Sequence, residues 1–183
     1  MYNNDNKCVV AHDKTFQMMI SQDEIEERVE LLGDQISKDY AGKKPLLLGI
    51  LNGAYMFAAD LSRAITTDCE ISFVKLSSYK GTGSTGDVQT VLGLDIELTG
   101  RHIIIVEDII DTGTTLSRFL VALEKEEPAS IALCCCFFKP EALLYALNID
   151  YCGFEIENKF IIGYGLDYDG LGRNYAAIYQ VAD

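Results

Sequence analysis

A chain of 183 residues, 49% hydrophobic and 23% charged, is long enough for one domain with a sizeable core. Fifteen Lys and Arg stand against 28 Asp and Glu, a formal charge of −13. That balance argues against a nucleic-acid or anionic-membrane surface, since both reward clustered positive charge, and it suits either a plain acidic surface or divalent cations.

The N-terminal stretch MYNNDNKCVVAHDK lacks the basic flank and apolar run of a secretion signal. No apolar run approaches the ~20 residues that span a bilayer, so cytoplasmic residence is expected. Ser21 and Glu24 form a capping box, and Ile25, Val29, Leu32 and Ile36 recur behind it at helical spacing, with Gly42 closing the helix. PLLLGIL (45–51), bounded by Pro and by Asn52-Gly53, suits a buried strand, AYMFAADLSRAI (54–65) a helix, and CEISFVKLSSY (69–79) a strand.

Residues 80–90, KGTGSTGDVQT, carry one apolar residue and three Gly. They read as a mobile loop or an exposed hairpin tip. RHIIIVED (101–108) is a strand and TTLSRFLVALEKE (114–126) a helix. ASIALCCCFF (129–138) follows as a strand, PEALLYAL (140–147) as a short helix, and YCGFEI (151–156) and KFIIGYGLD (159–167) as strands. Cys134, Cys135 and Cys136 are consecutive within a strand, and no C-x-x-C pair exists, so the six cysteines read as small apolar residues rather than disulfides or zinc ligands.

Strands alternating with helices imply an α/β fold with a mainly parallel sheet covered on both faces, where ligands gather at the carboxyl ends of the strands. IIIVEDIIDTGTTL (103–116) ends there. Adjacent Glu107 and Asp108 point to opposite sides of a strand and can serve different partners, such as a metal and a sugar hydroxyl. Thr112, Gly113, Thr114 and Thr115 then open a helix with exposed N–H groups and small hydroxyls, a phosphate cradle with no cationic side chain. The bland alternative is a capped helix with solvated carboxylates. It loses to the combination of apolar run, leading acids and Thr-Gly-Thr-Thr. The Gly-Lys pair of a P-loop is missing.

The segment IIIVEDIIDTGTT resembles the phosphoribosyl diphosphate-binding motif of type I phosphoribosyltransferases. LLLGILNGAYMFAADL, SSYKGTGSTGDVQ, FFKP and ENKFIIGYGLDYDGLGRN are similar, in order and spacing, to segments of the hypoxanthine-guanine branch of that family, over roughly residues 10 to 180. The resemblance implies a twisted parallel sheet with a core of about 21–150, a small hood from about 1–20 and 151–183, and a mobile lid at about 78–90. It also implies a homodimer or homotetramer. The implied reaction moves a phosphoribosyl group from phosphoribosyl diphosphate to hypoxanthine or guanine, with one or two Mg2+ ions. Such a reaction passes through a sugar of oxocarbenium character.

By the same resemblance Thr112–Thr115 hold the 5′-phosphate, Glu107 and Asp108 face the ribose hydroxyls directly or through magnesium, and Asp111 is the general acid/base at N7 of the purine. A helix N-cap is the other reading of Asp111. Lys139 is assigned to the exocyclic O6 of the base, against a plain surface lysine. Phe160 is expected to stack on the purine, the Ile161 backbone to read its edge, Asp167 to ligate a second magnesium ion, and Arg173 to meet the diphosphate. Taken singly, Phe160 reads equally as core and Asp167 as a turn residue.

Ser78 and Tyr79 resemble the pair that closes over the diphosphate. In LNGA (51–54) the lysine that many relatives carry is replaced by Asn52, which leaves the backbone N–H groups of Asn52 and Gly53 as contacts. The family often has a cis peptide here, so one is expected between Leu51 and Asn52. A transferase acting on xanthine, a non-catalytic regulator on the same fold, and a domain binding another phosphate ester are the competing readings. A lid at 78–90 predicts that limited proteolysis within this segment slows when a transition-state-like ligand is bound, and equal cleavage in both states would count against it.

Overall fold

The computed structural model describes residues 7–78, 88–92 and 96–182. In chain order these form β1 (Cys8–Ala11), β2 (Lys14–Ile20), α1 (Gln22–Asp39), β3 (Leu46–Leu51), α2 (Tyr55–Ala64), β4 (Glu70–Ser78) and β5 (Val88–Leu92). After them come β6 (His102–Ile110), α3 (Thr114–Glu124), β7 (Ser130–Phe138), β8 (Tyr151–Glu155), β9 (Ile161–Ile162) and β10 (Ile178–Val181). The main sheet runs β5-β4-β3-β6-β7-β8, with β4, β3, β6, β7 and β8 parallel and β5 antiparallel on β4. A second, antiparallel sheet, β1-β2-β10-β9, joins the two ends of the chain into the expected hood.

The apolar runs are continuous because both faces of the parallel sheet are covered. Leu47, Ile104, Val106, Cys134 and Cys136 pack with α1 and α2, while Leu46, Leu48, Ile103, Ile105 and Cys135 pack with α3. The three consecutive cysteines thus alternate between the two cores, and all six cysteines are unpaired. At the head of α1, Glu24 Oε2 accepts from Ser21 N (2.8 Å) and Glu24 N donates to Ser21 Oγ (3.3 Å), which completes the capping box. Ile25, Val29, Leu32 and Ile36 are buried as their spacing requires. The helix stops at Asp39, and Gly42 takes up the turn beyond it at φ 75°.

Three expectations change. PEALLYAL forms a single 3₁₀ turn, Pro140–Ala142, because Leu144 N donates to Thr112 O (3.0 Å) instead of to its own helix. KFIIGYGLD is extended only at Ile161–Ile162, since Gly163, Tyr164 and Gly165 all adopt positive φ (108°, 45° and 100°) and turn the chain. Tyr151–Glu155 pairs in parallel with β7, so the C-terminal part of the hood begins beyond Glu155 rather than near 151. Tyr79 and most of the expected lid, residues 79–87, lie outside the described residues. No described helix is long and apolar enough to cross a membrane.

Leu47 is fully buried at the centre of the sheet, whereas Val121 on α3 is 55% exposed. Leu47→Ala is expected to lower the unfolding free energy by ~2–5 kcal/mol and Val121→Ala by less than ~0.5 kcal/mol, read from the midpoint and slope of urea unfolding.

Candidate active site

β6 extends two residues beyond Asp108, to Ile110, and the chain turns away at Asp111. Glu107, Ile109, Ile110 and Asp111 line a cavity of about 190 Å3 together with Thr112, Gly113, Thr114 and Thr115. Asp108 faces the other way, against the loop that follows β3. A Cβ on Gly53 would collide with the Asp108 carboxylate, so only glycine lets that backbone come so close. The peptide bond between Leu51 and Asn52 in this loop is cis, as expected.

Both strand-end acids carry perturbed protonation. Burial pushes the Glu107 carboxyl well above its usual range, and the neighbouring Asp108 charge adds to the effect. Burial also raises Asp108, opposed by the Ile109 N–H that donates to Asp108 Oδ1 (2.9 Å) and by the charge of Arg173. The pair resists holding two negative charges without a cation.

The Thr112–Thr115 loop has the form of an anion cradle. Gly113 occupies the N-cap of α3 at φ 72°, and α3 starts with no side-chain cap. Thr114 N makes one long bond, to Thr112 Oγ1 (3.4 Å), and the helix start otherwise offers its N–H groups to an anion with the helix dipole behind them. Thr112 and Thr114 place their hydroxyls 3.1 Å apart. Leu143 and Leu147 cover Gly113 closely enough that a Cβ there would lie 2.8 Å from Leu147 Cδ1. The irregular 140–147 segment thus floors the Thr112–Thr115 loop.

Asp111 is not the cap of α3. Its Oδ2 lies 3.4 Å from Lys139 Nζ, on a lysine whose side chain is only 7% exposed. Lys139 sits at the carboxyl end of β7 and its N–H donates to Ile110 O (3.0 Å), which fixes it beside the β6 loop. The surface-lysine reading fails on this burial.

From the C-terminal segment, Arg173 and Asp167 arrive as an ion pair at 2.6 Å. Asp167 Oδ2 also accepts from Gly170 N (2.7 Å), and Arg173 donates to Gly165 O (2.6 Å). Gly165 packs on the Gly53 carbonyl, where a Cβ would not fit. Asn52 and Gly53, Asp108, and the Asp167–Arg173 pair therefore form one side of the site, while Glu107, Asp111, Thr112–Thr115 and Lys139 form the other. Phe160 is 43% exposed and rests edge-on against Tyr168 (5.5 Å between centroids). Ile161 is buried and pairs with Gln180. Ser78 ends β4. The sequence reading missed Tyr55, whose hydroxyl donates to Arg173 O (3.4 Å), and the Gly165–Gly53 contact. The Gly-Tyr-Gly triplet was the available signal for the second.

A family model for the phosphoribosyl transferase domain matches residues 21–169. The chain belongs to the phosphoribosyltransferase family. Among its relatives, the hypoxanthine-guanine phosphoribosyltransferase of Streptococcus pneumoniae is 42% identical over 159 residues, covering 86% of this chain and 88% of that one. The hypoxanthine phosphoribosyltransferase of Buchnera aphidicola is 42% identical over 157 residues, 84% and 89% of the two chains. A crystal structure of a Bacillus anthracis hypoxanthine-guanine phosphoribosyltransferase, with HEPES in its active site, superposes with a TM-score of 0.85 at 36% identity, covering 91% of this chain and 98% of that one. The main sheet and hood are thus those of the family, and this chain groups with its hypoxanthine-guanine branch.

The raised Glu107 carboxyl sets a pH dependence with a definite sign. Above its native value the folded state holds a charge that burial disfavours, so the loss of stability grows as pH rises through that raised value. It fades as pH falls toward the ordinary carboxylate range. Glu107→Gln removes the charge, so the ligand-free variant should melt ~2–4 °C higher than the parent at alkaline pH, with the gain vanishing as pH falls to the ordinary carboxylate range, in scanning calorimetry over a pH series. A pH-independent difference would contradict the assignment.

Proposed function

We propose that the protein carries out purine salvage. It transfers the 5-phosphoribosyl group from phosphoribosyl diphosphate to hypoxanthine or guanine, forming IMP or GMP and releasing diphosphate, with magnesium required. The observation that carries this reading is Asp111, held 3.4 Å from buried Lys139 between an uncapped Thr-Gly-Thr-Thr helix start and a buried acidic strand end. The names of the relatives point the same way.

Each residue has a task in this scheme. The backbone N–H groups and hydroxyls of Thr112, Gly113, Thr114 and Thr115 take the 5′-phosphate. Asp111 accepts or returns the proton at N7 of the purine, and Lys139 steadies the charge that builds on O6 as the base attacks C1. Because Lys139 pairs with Asp111, the acid/base is oriented before substrate arrives. Phe160 offers an exposed ring face for stacking, and the Ile161 backbone reads the base edge. Asn52, Gly53 and Arg173 bind the diphosphate, with Ser78 and Tyr79 closing over it.

Glu107, Asp108 and Asp167 offer hard oxygen atoms, and the first two resist carrying their charges without a cation. No three such groups converge among the described residues, which suits magnesium, an ion that takes few protein carboxylates and fills its shell from substrate oxygens and water. When bound, the ion would neutralise the leaving diphosphate. We further propose a cytoplasmic homodimer or homotetramer acting on small molecules, with neither nucleic acid nor membrane as partner. A related Trypanosoma cruzi hypoxanthine phosphoribosyl transferase (31% identical, TM-score 0.86, 95% of each chain) has been studied for the role of its C-terminal region in oligomeric state.

Nucleotide formation with magnesium, phosphoribosyl diphosphate and each of hypoxanthine, guanine, xanthine and adenine tests the reading, with product expected from the first two. Asp111→Ala should lower kcat by ~10²–10⁴-fold while donor binding changes little. Normal turnover by that variant would overturn the acid/base role.

A further inference from the structure

Away from the reacting groups, one hydrogen bond joins the two chain segments that frame the diphosphate side of the site. Asp60 lies on α2, the helix that leaves the Asn52–Gly53 loop, and its Oδ2 accepts a 2.6 Å bond from the Tyr164 hydroxyl, 104 residues further along the chain. Tyr164 is 4% exposed and takes a positive φ of 45° between two glycines. Burial holds its phenol far above the usual tyrosine range, so it remains a donor.

The main chain around Tyr164 is spoken for in the other direction. Gly165 N donates to Arg173 O (3.0 Å), Gly165 O accepts from Arg173 (2.6 Å), and Gly165 presses on the Gly53 carbonyl. The side chain therefore anchors to α2 a turn whose backbone carries the Arg173 guanidinium. Beside it, the only other bond from α2 to this segment among the described residues is the longer one from Tyr55 OH to Arg173 O (3.4 Å).

We propose that Asp60 and Tyr164 form a positioning pair. It fixes the spacing between the Asn52–Gly53 loop and the Asp167–Arg173 pair and so governs how tightly the diphosphate end of the donor is held. Neither residue touches substrate. The inference rests on the transferase reading, because only that reading makes these two segments the walls of a diphosphate site. Its physical basis is that an ångström-scale shift of an oriented cationic group weakens binding and alignment, whereas the phosphate loop and the Lys139–Asp111 pair, built on β6 and β7, are not moved.

Four variants separate this role from general support of the fold. Tyr164→Phe keeps the buried ring and removes only the hydroxyl, and Asp60→Ala removes the acceptor. Asp60→Asn retains an acceptor oxygen. Arg63→Gln deletes the other partner of Asp60 and leaves the phenol bond in place. In steady-state kinetics, Tyr164→Phe and Asp60→Ala should raise KM for phosphoribosyl diphosphate about ten-fold, with KM for hypoxanthine changed by less than about two-fold. Asp60→Asn and Arg63→Gln should stay near the parent protein.

Calorimetric titration with magnesium diphosphate should give the same ranking, and it needs no turnover. An unchanged donor KM in Tyr164→Phe, an equal rise in both KM values, or an Asp60→Asn variant as impaired as Asp60→Ala would overturn the proposal. If the parent protein makes no nucleotide from any base, the transferase reading fails. The diphosphate titration then still decides whether the pair shapes an anion site.

Discussion

Two acids that burial disfavours, Glu107 and Asp108, stand next to each other at the carboxyl end of the central strand β6. Desolvation opposes both charges and the Asp108 charge raises Glu107 further, against which stand the N–H groups of Asp108 and Ile109 and, for Asp108, the charge of Arg173. A fold selected for stability alone has little reason to keep such a pair, since a buried charge without an opposite partner costs free energy. Their presence makes sense when something cationic completes the site. The surrounding structure is arranged around keeping them there: an apolar strand on one side, an uncapped helix on the other, and a glycine backbone against Asp108.

The parallel sheet makes this arrangement possible. Every parallel strand delivers its following loop to the same edge, so the loops after β3, β6 and β7 meet without any being long. The loop after β3 contributes bare backbone at Asn52 and Gly53, the loop after β6 the acids and phosphate cradle, and the end of β7 the buried Lys139. The hood then brings Phe160, Asp167 and Arg173 from the other end of the chain over that edge. Close glycine contacts take the place of side-chain packing where these pieces meet, as at Gly53 against Asp108 and Gly165 against Gly53.

Lys139 and Asp111 show how one pair can serve both stability and chemistry. A buried lysine needs a partner, and Asp111, with its side chain about half exposed, supplies one while keeping an oxygen toward the cavity. The same lysine reaches back through its N–H to Ile110 O, so its backbone is tied to the strand that carries the acids. Asp111, Lys139 and the Thr112–Thr115 loop are thereby built on two adjacent strands.

Much of this was readable from local pattern. The capping box at Ser21 and Glu24, the helical spacing of Ile25 to Ile36, the buried runs at 46–51 and 130–138, and the acidic strand end followed by Thr-Gly-Thr-Thr all depend on neighbours within a few residues. That is the range over which periodicity and capping act. Local pattern misjudged 140–147 and 163–165, where a bond from Leu144 to Thr112 and three positive φ values override it. It also left Asp111 open between cap and acid, because only the fold brings Lys139, 28 residues later, to its side. The placement of β8 in the core sheet, the seating of Gly165 on Gly53 and the bond from Tyr164 to Asp60 were likewise decided by tertiary structure. Each joins residues far apart in the chain through shape or a single hydrogen bond, and neither leaves a repeating trace in the order of amino acids.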